Sequence, residues 1–261
     1  MHHPQAASRN SVAQAAPDLL ARLRARAPRI HCITNAVAQN FTANVLLAAG
    51  CVPSMTLSGE EIGAFVAGAQ GLLVNLGTFD AERRQATTIA VEAAVQRKLP
   101  WVLDPVFVDR ALSRARFALE LTARRPNVLR LNDAEFAALA VAQPTPDALG
   151  RHARDHATVV GLTGDPDIVT DGARTVSIRN GDPLMARVTA MGCAASALVA
   201  ACLAVEADAW RATAAGLILI GVAGELAAAR AHGPGTLAVG ILDTLHALDQ
   251  RAIVQHARVE Q

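Results

Sequence analysis

The sequence predicts an α/β sandwich in which a mostly parallel central sheet is covered by helices on both faces. Short apolar runs alternate with amphipathic helical segments through most of the chain. Such alternation is typical of a parallel sheet with helices on both faces. The chain has 261 residues, 52% of them hydrophobic, which suits one large core better than two domains.

Strands and helices are predicted to alternate along the chain. We expect residues 1–16 to be a disordered extension and residues 17–261 to form a single domain. A first helix is predicted from Pro17 to Ala27, where apolar residues and arginines occupy opposite stripes. Six predicted strands come next, and a helical segment follows each of the first five. These strands read RIHCIT, CVPSMT, GLLVNLG, PWVLDPV, NVLRLN and ATVVGLTG.

The later part of the chain predicts hairpins and then helices. Turn dipeptides at Asp171-Gly172 and Asn180-Gly181 separate short alternating runs, which indicates antiparallel hairpins added to the parallel sheet. Two or three helices are predicted after them. Two apolar stretches, Ala190–Val205 and Ala212–Gly224, are shorter than the roughly 20 residues that a membrane span requires. We therefore interpret both as core helices and expect no membrane partner.

Charge and cysteine usage limit the class of partner. The formal net charge is +1, which provides no electrostatic attraction to nucleic acid, so we expect a small-molecule substrate. Lys98 is the only lysine and follows no glycine run, which excludes a P-loop. The four cysteines lack a C-x-x-C spacing, and nothing near Met1 resembles an export signal. Reduced thiols and a cytoplasmic location are expected.

Residues that could contact a ligand, most of them polar, follow almost every predicted strand. The carboxyl ends of parallel strands meet at one edge of a sheet, and ligands bind there in folds of this class. We therefore expect these residues to converge on one site. They are Thr34, Asn35, Met55, Thr56, Asn75, Asp104, Asn132, Thr163, Gly164 and Thr189.

Two acidic residues in this set have more than one interpretation. Asp104 ends the apolar run WVLD, and Asn132 with Glu135 forms an N-x-x-E pattern where the next strand becomes a helix. The pattern is typical of a helix capping box. It also suits a pair of carboxylates, Asp104 and Glu135, that bind Mg²⁺ directly or through water.

Three further residues are candidates for contact with phosphate. Arg130 lies within an apolar strand, where its charge requires a partner, either a phosphate or a nearby carboxylate. Thr163 and Gly164 combine a hydroxyl with an unhindered backbone, although the same dipeptide is common in ordinary turns.

The segment VTAMGCAASALVAA begins at Val188 and predicts a strand end and a tight turn that lead into a helix. The start of a helix offers unpaired N–H groups near Gly192, which suit a phosphate. Such a position also lowers the pKa of a thiol, and this makes Cys193 a candidate reactive group. The alternative is that Cys193 is one more small buried residue.

Six segments, taken in order, carry a resemblance to a known family. They read RIHCITNAVAQNFTANVLLAAGCVPSM, GLLVNLGT, PWVLDPV, RLNDAEF, GLTGDPDIVTDG and VTAMGCAASALVAA. Together they resemble the hydroxyethylthiazole kinases, thiamine-salvage members of the ribokinase-like superfamily, from about His31 to Asp249. The resemblance implies a ribokinase-like three-layer sandwich and a homotrimer with sites between subunits. It also implies phosphorylation of 4-methyl-5-(2-hydroxyethyl)thiazole with ATP and Mg²⁺.

The resemblance also implies residue roles. Cys193 stands where kinases of the superfamily usually carry an aspartate base. The substrate-binding residues are then Met55, Ala190 and Asn35. The ATP-binding residues are Arg130, Thr163 and Gly192, and the metal-binding residues are Asp104 and Glu135.

The sequence departs from the family pattern at three places. FVDRALSR follows the L-D-P-V motif where glycine-rich loops are common, and Ala190 replaces a frequent glycine. The stretch from Glu135 to Thr163 is also shorter than is usual in the family. Three alternatives therefore stay open: a kinase for another small alcohol such as hydroxymethylpyrimidine, a non-catalytic thiazole- or nucleotide-binding protein, and a hydrolase with a cysteine nucleophile.

Overall fold

A computed structural model describes residues 5–260, with side chains from residue 12 onward. The described residues form one sheet of nine strands in the order β2-β1-β3-β4-β5-β6-β7-β8-β9. Strands β1 to β6 are parallel, and β7 to β9 are antiparallel. The strands are β1 (Arg29–Ile33), β2 (Val52–Ser54), β3 (Gly71–Asn75), β4 (Trp101–Asp104), β5 (Val128–Leu131), β6 (Val159–Leu162), β7 (Asp167–Thr170), β8 (Thr175–Ile178) and β9 (Val259–Glu260).

Helices cover both faces of the sheet, and each face has its own apolar core. One core contains α1, α2, α8, α9 and α10, and the other contains α3 to α7. This is the predicted three-layer α/β sandwich. The helices are α1 (Gln5–Arg26), α2 (Gln39–Ala48), α3 (Ile62–Gly68), α4 (Ala81–Arg97), α5 (Leu112–Thr122), α6 (Asp133–Ala140), α7 (Pro146–His156), α8 (Met191–Leu203), α9 (Ala209–Ala228), α10 (Pro234–Ala247) and α11 (Gln250–His256).

The first helix is longer than the sequence predicted. Helix α1 begins at Gln5, so residues 5–16 are helical where we expected a disordered extension, and Met1 to Pro4 lie outside the described residues. Pro17 is typical of a first helical turn, which is why the predicted start fell there. Val12, Ala15 and Ala16 are buried against the rest of the fold, and this burial stabilises the earlier turns.

The antiparallel part confirms one predicted hairpin and corrects the other. Strands β7 and β8 pair across the turn at Asp171-Gly172. After Asn180-Gly181 the chain forms a 3₁₀ helix, Pro183–Arg187, instead of a strand. The partner of β8 on its outer side is β9, which the sequence did not predict. Val188, where we expected a strand end, instead follows the 3₁₀ helix directly.

The two apolar stretches are helices of the core, as predicted, although one is longer than expected. Helix α9 has 20 residues and is apolar enough to cross a membrane, but 78% of its most apolar window is buried within the fold. Helix α8 is buried along almost its whole length. The many alanines and glycines of this pair allow their backbones to pack closely, and Gly216 lies against Val199.

Candidate active site

The carboxyl ends of three adjacent strands carry side chains that contact one another. Asn75 and Asp104 are paired in the register of β3 and β4, and the Asn75 amide donates to Asp104 Oδ2 at 2.7 Å. Asn35, just beyond β1, donates to Asn75 Oδ1 at 3.4 Å. Ser196 from α8 donates to the same Asp104 oxygen at 2.8 Å. Of the ten residues expected to converge at this edge, Asn35, Asn75 and Asp104 are therefore brought together by hydrogen bonds. Thr56 instead donates to Glu61, and Thr189 is exposed.

Asp104 is completely buried, and only one of its oxygens is hydrogen-bonded. Oδ1 has no hydrogen-bond partner and lies 3.9 Å from Arg130 Nη1. Burial raises the pKa of Asp104 to about 6; the Arg130 charge opposes this rise, and the nearby Glu135 charge adds to it. A buried carboxylate with an unused oxygen can accept a cation or a proton at that position.

Cys193 lies in the first turn of α8 and accepts two hydrogen bonds. Its Sγ receives the Asn35 amide at 3.1 Å and the Asn75 amide at 3.3 Å. The prediction of a lowered pKa was wrong, because burial and the charge of Asp104 raise the pKa of this thiol to about 11. The sequence indicates the helix start, which would lower the pKa of the thiol. It does not indicate the burial, whose opposite effect on the pKa is larger. A neutral thiol between two amides is unsuited to nucleophilic attack.

Arg130 reaches from β5 to the start of α8. A Cβ at Gly192 would lie 2.9 Å from Arg130 Nη1, so the absence of a side chain there allows the guanidinium to approach the helix. The first intrahelical bond joins Ala194 N–H to Ala190 O. The N–H groups of Gly192 and Cys193 precede it and are available to an anion. A cation and a helix start therefore face the same space.

That space is a cavity of about 190 Å³. Its lining includes Arg130, Thr163 and Gly192, which are the three residues predicted to bind ATP. Asp167 also lines it and accepts a hydrogen bond from Gly164 N–H at 2.9 Å, which fixes the turn after Thr163. Burial raises the pKa of Asp167 to about 6.

Glu135 forms the capping box at the start of α6. Its Oε2 accepts from Asn132 N–H at 2.9 Å, and the Asn132 side chain accepts from Glu135 N–H at 2.9 Å. Oε1 accepts from Phe107 N–H at 3.0 Å, which ties the loop after Asp104 to this helix. The capping interpretation is thus correct, and the charge of Glu135 also contributes to the raised pKa of Asp104.

Met55 and Ala190 lie outside this hydrogen-bonded cluster. Met55 follows the edge strand β2 and is partly buried against the core that includes α8. Ala190 caps α8 with a φ of 71°. This left-handed conformation favours glycine and costs an alanine about 1 kcal/mol. The alanine that replaces a frequent glycine at this position therefore adopts the backbone conformation that favours glycine.

Sequence reasoning missed Ser196 and Asp167 as members of the site. Ser196 is three residues after Cys193 in α8, and residues at that spacing share a helix face. That spacing was the available signal. Asp167 begins β7, and its contact with Gly164 depends on a turn that the residue types alone do not specify.

Solved structures with the same architecture identify the fold. A ribokinase-like superfamily protein from Enterococcus faecalis aligns over 90% of this chain and 95% of its own, with a TM-score of 0.68 and 13% identity. The ADP complex of Bacillus subtilis pyridoxal kinase aligns over 76% and 92%, with a TM-score of 0.58 and 16% identity. These likenesses show a ribokinase-like fold.

Closer relatives narrow the class to one family. The model of the hydroxyethylthiazole kinase family matches residues 20–251. A probable hydroxyethylthiazole kinase from Agrobacterium fabrum is 44% identical over 94% of both chains. The structure of hydroxyethylthiazole kinase from Pyrococcus horikoshii aligns over 94% of this chain and 98% of its own, with a TM-score of 0.90 and 36% identity. The chain belongs to the hydroxyethylthiazole kinase family and is a kinase.

Proposed function

We propose that the protein transfers the γ-phosphoryl group of ATP to the hydroxyl of 4-methyl-5-(2-hydroxyethyl)thiazole, which yields the thiazole phosphate for thiamine biosynthesis. The observation that carries this proposal is the meeting of Arg130, the start of α8 and the buried Asp104 at one sheet edge. Phosphoryl transfer depends mainly on positioning and on charge stabilisation, and these groups supply both.

The residues at this edge fit a divalent cation. Asp104 has a buried oxygen without a hydrogen bond, and the charge of Glu135 acts on it. No cluster of three His, Cys, Asp or Glu side chains occurs among residues 5–260, so these two carboxylates and water would hold the ion. Bound Mg²⁺ supplies charge neutralisation for the triphosphate.

The chain's own residues then divide the work. Arg130, Thr163 and the N–H groups at Gly192 bind the phosphates, because they line one cavity. Met55, Ala190 and Asn35 bind the thiazole. Cys193 lies beside the acceptor hydroxyl. With its pKa at about 11 the thiol remains protonated at neutral pH, so it orients the hydroxyl more than it removes the proton.

We also propose a cytoplasmic homotrimer with sites between subunits. Strand β2 is an edge strand next to the thiazole-binding Met55, and apolar side chains near it are exposed: Val52 by 49% and Phe65 by 43%. A second copy covering this edge would bury them. Light scattering coupled to size exclusion tests the state; a monomer that is fully active would exclude shared sites.

The activity is tested by ADP release with ATP, Mg²⁺ and the thiazole alcohol, with mass detection of the product. Hydroxymethylpyrimidine serves as the parallel acceptor. We expect thiazole phosphate and no pyrimidine phosphate. Product from the pyrimidine alone would assign another acceptor, and thiazole binding without any product would indicate a binding protein.

A further inference from the structure

A second cavity continues from the phosphate-binding one. It has a volume of about 460 Å³ and shares Gly164, Asn180 and Asp182 with the cavity that contains Arg130. A triphosphate held at Arg130 would extend its nucleoside into a neighbouring space of this kind. Within the Asn180-Gly181 turn, Asn180 lines both cavities and Gly181 lines the larger one.

That turn is held by one carboxylate from α9. Glu225 Oε2 accepts from the Asn180 amide at 3.0 Å, and Oε1 accepts from Gly181 N–H at 3.1 Å. The Glu225 side chain is only 17% exposed, which favours these bonds over competing water. The carboxylate thus fixes both residues of the turn at once.

The last residue of α11 and the segment that follows it hold the same turn from the other side. Asn180 donates to His256 O at 2.8 Å and accepts from Arg258 N–H at 2.7 Å. The Arg258 guanidinium donates to Arg179 O at 2.7 Å and forms an ion pair with Glu225. Arg258 also lines the larger cavity. It lies beyond residues 20–251, which the family model matches.

The surface of α9 is shaped to receive this segment. A Cβ at Gly221 would lie 2.7 Å from Asn180 Cβ and 2.9 Å from Asn180 O. A Cβ at Gly224 would collide with the Met185 side chain. The turn therefore packs directly on the helix backbone, and its position is defined by packing as well as by hydrogen bonds.

We propose that Glu225 and Arg258 are positioning residues for the nucleotide. They fix the Asn180-Gly181 turn as the wall against which the nucleoside of ATP binds, and they act through that turn without touching the reacting atoms. This inference rests on the proposed ATP-dependent kinase activity. It assigns nucleotide affinity to residues distant from the strand ends that carry the chemistry.

Steady-state kinetics and ADP binding by calorimetry test the proposal with Arg258→Ala and Glu225→Gln in the full chain. We expect the KM for ATP and the Kd for ADP to rise about fivefold for Arg258→Ala and about tenfold for Glu225→Gln, because the glutamine faces the Asn180 amide with a second donor. The KM for the thiazole and kcat stay within about twofold of the parent.

Arg251→Ala is the matched control, because it removes an exposed arginine from the adjacent α11 and is expected to change neither constant. An unchanged ADP affinity in Arg258→Ala, or equal rises in the KM of both substrates, would overturn the proposal. Arg258→Ala decides the matter if Glu225→Gln does not fold. A parent protein that binds ADP but makes no thiazole phosphate would contradict the proposed function. The ADP affinities of the parent and the variants would still test the positioning role of Glu225 and Arg258.

Discussion

The parallel half of the sheet and its antiparallel extension form their walls of the site in different ways. In the parallel half, β1, β3 and β4 each place one side chain at or just beyond the strand end, and Asn75 is hydrogen-bonded to both Asn35 and Asp104. In the extension, the wall is a turn after β8, and contacts from α9 and from residues near β9 hold it. The wall in the parallel half contributes functional groups to the site. The wall in the extension contributes the shape of the binding surface.

The difference predicts where a substitution has its effect. A residue that presents a functional group to the reacting atoms cannot be replaced by a neighbour, so its loss lowers turnover. A residue that fixes the position of the turn is one of several contacts that do so. Its loss therefore weakens nucleotide binding by only a small factor. Substitutions in the parallel half are therefore expected to lower kcat, and those in the extension to raise the KM for ATP.

Asp104→Asn is expected to have the largest effect. The amide keeps a similar shape but lacks the negative charge that holds a cation tightly, so kcat falls about a thousandfold while thiazole affinity is retained. Rapid-quench turnover and thiazole calorimetry measure the two quantities. Asp133→Asn, at an exposed position of the same edge, is the control. Turnover within about tenfold of the parent would show that Asp104 is not the cation ligand.

The same substitution is expected to increase stability at neutral pH. The pKa of Asp104 is about 6 in the folded protein against an ordinary 3.8, so the folded state binds more protons between these values. Stability therefore falls as pH rises through this window. Relative to the parent, Asp104→Asn gains about 3 kcal/mol in the free energy of unfolding between pH 3.5 and pH 7. Urea unfolding at both pH values measures it, and an equal difference at both would contradict the assignment.

Arg130→Lys tests whether the paired N–H donors of the guanidinium contribute to ATP binding in addition to its charge. Lysine retains the charge but not the paired donors, and we expect kcat/KM for ATP to fall about a hundredfold. Arg124→Lys, exposed at the end of α5, is the control. If Arg130→Lys retained full activity, charge alone would suffice at this position.

Replacement of Cys193 is expected to have a smaller effect. Cys193→Ala removes the acceptor of two amide hydrogen bonds and lowers kcat about tenfold, with little change in thiazole affinity. Cys193→Asp offers the same amides a carboxylate and is expected to retain or raise turnover. The coupled ADP assay compares the two variants. A folded but inactive Cys193→Asp would argue against a base position.

The two walls also differ in how far the sequence predicts them. Asn35, Asn75 and Asp104 each follow an apolar run, so their place at strand ends is a local property, and parallel pairing brings them together. Glu225 carries no such signal, because its partners are 45 and 44 residues away. Strand β9 has two residues, too few to show an alternating pattern.

The pKa shifts of the site residues depend on burial, so the sequence predicts them less well than it predicts the positions of those residues in the fold. The helix start at Cys193 was evident, yet the sign of its pKa shift follows from burial beside Asp104. Glu135 was assigned both as a cap and as a cation ligand, and the fold shows how one carboxylate meets two backbone N–H groups.

The burial of the thiols has a practical consequence for spectroscopy. All four cysteines are buried, and burial raises the pKa of each, to about 12 for Cys51 and about 11 for Cys193. Maleimide reagents need an accessible thiolate, and the folded chain offers them none at neutral pH. A cysteine introduced at Leu112, which is 78% exposed and follows the loop after Asp104, would take up a single fluorophore. A single label can therefore be placed next to this loop without removal of the native cysteines.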